Sequence, residues 1–90
     1  MNITTGDVVV ATAGKEKNQI FVVKSVNEKF CFLVDGDRLK LAKPKKKSLK
    51  HVQKASKNKF DEKLLETEQE NVNAAVRKFL KECLVCQRKM

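Results

Sequence analysis

The spacing of the apolar residues changes near residue 58, and this change most constrains what the chain can fold into. Before that point, apolar residues come in short runs at residues 8–11, 20–23 and Phe30–Val34, separated by turn-forming residues. Beyond it, they recur at steps of four and three up to Met90. Short apolar runs bounded by turns indicate β-strands, whereas the second spacing indicates one face of an α-helix. The sequence therefore predicts a mainly β fold followed by a helix.

A fourth strand is predicted at residues 38–43, where basic and apolar residues alternate. Because side chains of a strand point alternately to its two faces, Leu39 and Leu41 are expected on a buried face. The preceding pair Asp35-Gly36 predicts a tight hairpin turn, since both residues tolerate positive φ.

Pro44 is expected to end that strand because it cannot donate a ladder hydrogen bond. Lys45–Ser48 is then expected to be a loop, and residues 49–52 a last short strand. Such a set of strands is sufficient for a small curled barrel.

The C-terminal segment predicts an amphipathic helix from about Phe60 to Met90. Asn58 is expected to cap it, with acidic residues in its first turn and a weak point at residues 69–71, where two shorter helices or a kink are alternatives. The stripe is expected to pack on the preceding strands; a partner helix or a self-association seam is the alternative. The stripe comprises Leu65, Gln69, Val72, Val76, Phe79, Cys83, Cys86 and Met90, flanked by Leu64, Ala75 and Leu80.

The whole net charge of +9 lies in residues 37–59, because the parts before and after are balanced. This stretch has one acid, Asp37, against Arg38, Lys40, Lys43, Lys45, Lys46, Lys47, Lys50, Lys54, Lys57 and Lys59. Lysines near phosphates release condensed counterions, so a localised positive stretch favours a nucleic-acid partner. A solvated charged tail is the alternative. The adjacent lysines 45–47 favour contact most strongly, because their charges repel unless a partner neutralises them.

Other function classes have little support. There is no Trp or Tyr and there are five Phe, which disfavours stacking of unpaired bases. His51 has no neighbouring catalytic partner, and no phosphate-cradling or nucleophile motif is present, so we expect no enzymatic activity and no cofactor. Cys83 and Cys86 make only half of a zinc site, so core thiols are expected and no metal.

The N-terminal apolar run is too short for a signal sequence or a membrane span. We therefore expect a cytoplasmic protein whose three cysteines are reduced. Membrane-surface attachment through the basic stretch ranks last, because Leu39, Leu41 and Leu49 are expected in the core.

Residues 6–10, a loop opened by Gly14, and residues 20–23 resemble the KOW motif of ribosomal proteins and transcription elongation factors. The match continues through Asp35-Gly36, residues 43–47 and residues 50–52. It is similar to the ribosomal-protein-like KOW group, bacterial RNA-binding relatives of the fourteen-e ribosomal proteins. The resemblance covers about residues 6–53, with a weaker echo at residues 76–80. Where the motif usually has a second glycine, this chain has Asn18, which also tolerates a left-handed conformation.

The resemblance implies an SH3-like β-barrel over residues 1–54 and a C-terminal helical extension, residues 55–90, packed on it. It also implies binding of structured RNA, foremost ribosomal RNA, through the loop after the first strand and the basic loop after Pro44. We expect a monomer whose RNA-binding residues are Lys15, Lys17, Arg38, Lys40, Lys43, Lys45, Lys46, Lys47, Lys50 and His51. The alternative is a protein-binding module of the transcription or translation machinery, in which the helix docks a partner.

Overall fold

One five-stranded antiparallel sheet and two helices make up the part of the chain that the computed structural model describes, which is residues 3–88, with side chains to residue 83. The strands are β1 (Asp7–Ala11), β2 (Ile20–Val26), β3 (Phe30–Val34), β4 (Lys45–Ser48) and β5 (Val52–Lys59), in the order β4-β3-β2-β1-β5. A 3-10 turn, Leu49–His51, joins β4 to β5, and α1 (Glu62–Leu65) and α2 (Glu70–Arg88) follow. The predicted mainly β fold with a C-terminal helix is confirmed.

The first three strands lie where the apolar runs predict them. Four of the five residues of β1 and the first four residues of β2 are buried, because both faces of the sheet are covered there. Val9 pairs with Phe21 and Val22 pairs with Val34, so successive residues contribute to opposite faces. Each apolar run therefore supplies side chains to two hydrophobic clusters.

The helix-side cluster lies between the sheet and α2. It contains Val8, Ile20, Val22, Val34, Leu41, Phe60, Leu65, Val72, Val76, Leu80 and Cys83. The opposite cluster contains Ile3, Val9, Ala11, Phe21, Val23, Cys31, Leu33 and Val52. The second cluster draws on β1, β2, β3 and β5, so one face of the sheet is buried without help from α2.

The prediction for residues 38–48 is wrong in its secondary structure. Residues 38–43 form a loop, and the strand is Lys45–Ser48, which Pro44 precedes instead of ending the strand before it. Lys46 pairs with Phe32 and Lys47 with Cys31, so pairing with β3 selects the lysine run as a strand. Leu41 is nevertheless buried in the helix-side cluster.

The segment after β4 also differs from the prediction. Residues 49–51 form a 3-10 turn instead of a strand, and β5 extends from Val52 to Lys59. The expected domain boundary at residue 54 therefore lies inside β5. Asn58 belongs to that strand, and the helix cap is Asp61, whose carboxylate accepts the backbone N–H of Lys63 at 2.9 Å.

The helical segment is broken between residues 65 and 70, as the two-helix alternative predicts. Of the predicted stripe, Leu65, Val72, Val76 and Cys83 are buried on the sheet, whereas Gln69 is exposed and the flanking Leu64 is 40% exposed. The side chains of Cys86 and Met90 lie outside the described residues.

Candidate nucleic-acid interface

The loop of residues 35–43, here called the anchored loop, presents Arg38 to solvent. One oxygen of the Asp35 carboxylate accepts the backbone N–H groups of Asp37 at 2.9 Å and Leu39 at 2.8 Å. Gly36 adopts a φ of 78°, in the left-handed region that glycine favours. The predicted turn at Asp35-Gly36 is thus present, but it opens a long loop and not a tight hairpin.

Two hydrogen bonds attach the anchored loop to helix α2. The Arg77 guanidinium donates to the carbonyl of Gly36 at 2.9 Å, and the Leu41 N–H donates to the side-chain oxygen of Asn73 at 2.9 Å. Asn73 is only 3% exposed, so this second bond is shielded from water. A Cβ at Gly36 would overlap the carbonyl oxygen of Asn73 and lie 2.8 Å from the backbone nitrogen of Arg77. The loop and the helix therefore form one packed unit.

One predicted lysine of the anchored loop is partly neutralised by the helix. Lys40 Nζ lies 3.3 Å from Glu70 Oε1, and both side chains are exposed. The hydrogen bond from Lys40, followed by that from Asn73, lowers the pKa of Glu70 from its ordinary value. Exposed pairs of this kind are weak, so Lys40 remains available to a polyanion.

The β1–β2 loop, residues 12–19, carries Lys15 and Lys17 on its exposed side. Gly14 and Asn18 have φ values of 84° and 75°, which confirms that Asn18 takes the left-handed conformation. The Asn18 N–H donates to the Ala11 carbonyl at 2.8 Å, and this bond closes the loop back onto β1.

Glu16 holds the β1–β2 loop against β4. Its two carboxylate oxygens accept hydrogen bonds from Lys45 Nζ and Lys47 Nζ, each at 2.9 Å. These two bonds lower the pKa of the Glu16 carboxyl to about 2. Part of the neutralisation that the lysine run requires is therefore internal, and Glu16, which lies outside the predicted set, supplies it.

The three adjacent lysines are not equivalent, because alternate residues of a strand face opposite sides. Lys45 and Lys47 face Glu16, and the Lys47 side chain is only 10% exposed. Lys46 points the other way and lies over the ring of Phe30, 4.2 Å from its centroid. The triplet thus divides between two surfaces.

Lys15, Arg38 and Lys45 come together around one cleft of about 270 Å³, here called the basic cleft. These residues come from the β1–β2 loop, the anchored loop and β4. The remaining lining residues are Glu16, Gln19, Phe21, Asp35 and Leu39. Folding therefore joins three of the predicted RNA-binding residues that are far apart in sequence.

The other predicted residues lie outside this cleft. Lys17 and Lys43 are exposed on the two loops beside it. Lys50 and His51 are exposed in the 3-10 turn, where Lys50 borders a separate cleft beside Phe30. The His51 carbonyl accepts the Thr12 N–H at 2.8 Å, so this turn is tied to the β1–β2 loop.

Two lysines near the end of the basic stretch lie close to the buried carboxylate of Asp7. Asp7 is 1% exposed and accepts the backbone N–H of Thr4 at 2.8 Å. Lys54 and Lys59 each place Nζ 3.8 Å from a different oxygen of this carboxylate. These two lysines stabilise β5 against β1, and their position explains part of the local charge excess without an external partner.

The thiols show no sign of metal binding in the part of the chain that the structure describes. Cys31 and Cys83 are buried in different clusters, and burial raises the pKa of the Cys31 thiol. Among the described residues, no group of three or more His, Cys, Asp or Glu side chains lies close enough to hold a metal ion. The side chain of Cys86 falls outside those residues.

No protein-family model matches the chain, and a search of the curated proteins gives no match. The KOW resemblance therefore rests on the residues quoted above and stays a prediction. Within residues 3–88, no helix has the length and apolar character needed to cross a membrane.

Proposed function

We propose that this chain is a non-enzymatic RNA-binding protein that contacts the backbone of structured RNA, foremost ribosomal RNA. The observation that carries the proposal is the convergence of Lys15, Arg38 and Lys45 on one cleft. Three cations from separate segments line one cleft, and phosphate contacts supply most of the affinity of such proteins.

The fold supports an SH3-like barrel of the KOW type. β1 lies between β2 and β5, so the first and last strands are adjacent in the sheet, and the edge strands β4 and β5 are the ones that would meet in a closed barrel. The opposite cluster combines residues of β1, β2, β3 and β5 into one core, as the interior of a barrel does. Gly6 precedes β1 and Gly14 opens the loop after it, which are the places that the motif gives them.

The cleft also has the rigidity that recognition by shape requires. One wall is fixed to α2 by Asn73 and Arg77, and in the protein without RNA the other is held to β4 by Glu16. Charges on a rigid scaffold select a polyanion whose phosphates have a matching spacing, which favours folded RNA over flexible single strands.

Several exposed cations remain free for such contacts. Among residues with described side chains, none of these forms a salt bridge: Lys15, Lys17, Arg38, Lys43 and Lys50. In contrast, the apolar stripe of α2 is buried on the sheet as far as Cys83. This packing removes the main reason to expect that the stripe docks a partner protein.

The test is co-sedimentation of the protein with purified ribosomal subunits over a salt series. The variant K45A/K46A/K47A is compared with K57A/K63A/K78A, which removes the same charge from exposed positions outside the cleft. We expect saturable binding to one subunit. In the first variant the slope of log affinity against log salt should flatten by about 0.7–0.9 unit for each lysine that contacts a phosphate, and by up to about two units if all three do. Non-saturable binding that both variants weaken equally would contradict the proposal.

A further inference from the structure

We propose, building on the RNA-binding function above, that Lys45 and Lys47 form a phosphate-binding position that the Glu16 carboxylate occupies until RNA displaces it. The sequence did not predict a role in binding for Glu16. In the structure its carboxylate occupies the position proposed for the phosphate.

The geometry of the Glu16 contact is that of a small bound oxyanion. Lys45 Nζ lies 2.9 Å from Oε2, and Lys47 Nζ lies 2.9 Å from Oε1. A backbone phosphodiester also carries one negative charge and offers two equivalent oxygens, so it can accept the same pair of charge-assisted hydrogen bonds. The two lysines therefore suit a phosphate as well as they suit the carboxylate.

The surroundings favour an anion at this place. The side chains of Lys47 and Glu16 are 10% and 17% exposed, whereas that of Lys45 is 43% exposed. The Lys47 ammonium group is therefore partly shielded from water, which strengthens its attraction for an anion. A Cβ at Gly14 would lie 3.0 Å from Lys47 Nζ, so the absence of a side chain there leaves room for the ammonium group.

The position is also continuous with the proposed RNA surface. Glu16 and Lys45 line the basic cleft together with Lys15 and Arg38. A tethered carboxylate competes well against a free anion, because its effective concentration near the lysines is high. RNA held at the same time by Lys15 and Arg38 is tethered as well, so it can replace Glu16 where a single free phosphate ion does not.

The decisive variant is E16Q, which keeps the size of the side chain and removes its charge. Its control is E66Q, which makes the same charge change at an exposed residue with no salt bridge among the described side chains. A structured RNA hairpin is titrated into the wild type and both variants over a salt series. Inorganic phosphate is titrated into each protein separately, with the lysine side-chain nitrogens followed by NMR.

We expect E16Q to bind the RNA about tenfold more tightly at low salt, with a salt slope steeper by about one unit. Inorganic phosphate should shift the signals of Lys45 and Lys47 in E16Q and leave them unchanged in the wild type and in E66Q. Equal or weaker RNA binding by E16Q, with no phosphate response, would overturn the inference and would mean that Glu16 only holds the loop in place.

The two proposals fail in different ways. If the wild type binds RNA but E16Q gains nothing, the RNA-binding function stands and the phosphate position is refuted. If no form of the protein binds RNA while phosphate still shifts Lys45 and Lys47 in E16Q, the RNA-binding function is refuted and the phosphate-binding position stands without RNA as its ligand. Comparison of amide spectra of E16Q and the wild type shows that both are folded before either conclusion is drawn.

Discussion

The two loops that flank the basic cleft are held in different ways. The anchored loop is fixed by packing on α2 and by hydrogen bonds to Asn73 and Arg77, one of them fully buried. The β1–β2 loop is fixed to β4 mainly by the charge of Glu16. The wall formed by the anchored loop should therefore respond less to salt and pH than the wall formed by the β1–β2 loop.

The largest difference is expected when the glycine of each loop is replaced by alanine. Gly36 and Gly14 both have positive φ, but only at Gly36 would the new Cβ overlap backbone atoms of α2. We expect G36A to lower the free energy of unfolding by about 3 kcal/mol or more, from combined strain and steric overlap. G14A should cost about 1 kcal/mol, because the Lys47 ammonium beside it can move.

Urea denaturation of both variants measures this difference directly. Each variant is the control for the other, since both add one methyl group at a left-handed position. Equal losses would show that the anchored loop is not packed against α2 as described.

A smaller effect is expected at the helix side of the same contact. N73A removes the acceptor of the buried Leu41 N–H and should lower the free energy of unfolding by about 1–3 kcal/mol. N71A is the control, because Asn71 is exposed on the same helix and alanine is the better helix former. Thermal denaturation should therefore show a lower midpoint only for N73A, and an unchanged midpoint would remove the hydrogen bond from the account.

The smallest effect concerns pH. The pKa of Glu16 is lowered from 4.5 to about 2 by Lys45 and Lys47, so its ion pairs stabilise the fold above pH 4.5 and are lost as the pH falls towards 2. NMR titration of the Glu16 carboxyl should follow this low midpoint, while the amide of Leu41, bonded to a neutral side chain, should not respond with it. In K45M/K47M the Glu16 midpoint should return towards 4.5. A midpoint near 4.5 in the wild type would contradict the contact.

The fold could be predicted from the sequence where apolar spacing determined it. β1, β2 and β3 coincide with apolar runs, and the break before α2, residues 66–69, lies beside the predicted weak point at 69–71 and shares Gln69 with it. β4 could not be predicted, because three consecutive lysines carry no apolar period and their pairing with β3 is a tertiary effect. The alternation at residues 38–43 was misleading, because Leu41 is buried by α2 and not by strand pairing.

The sequence predicted the cations of the candidate site but not the residues that position them. Local charge singled out Arg38 and Lys45, and the loop that Gly14 opens singled out Lys15; the structure brings all three to one cleft. Glu16, Asn73 and Arg77 are separated from their partners by 29 to 41 residues, and no local pattern connects them. The one available signal for Glu16 was its position between two lysines in a loop that glycine opens.

The central claim is that the basic cleft binds RNA, and its most direct test is the salt dependence of binding by K15A/R38A. Arg38 and Lys15 are exposed, so their removal should leave the fold intact. Against a structured RNA, the slope of log affinity with log salt should fall by about 1.5 units relative to the wild type. The control K63A/K78A, with the same loss of charge outside the cleft, should keep the wild-type slope. Identical slopes in both double variants would contradict the claim, because the charge of the protein would then act without a defined site.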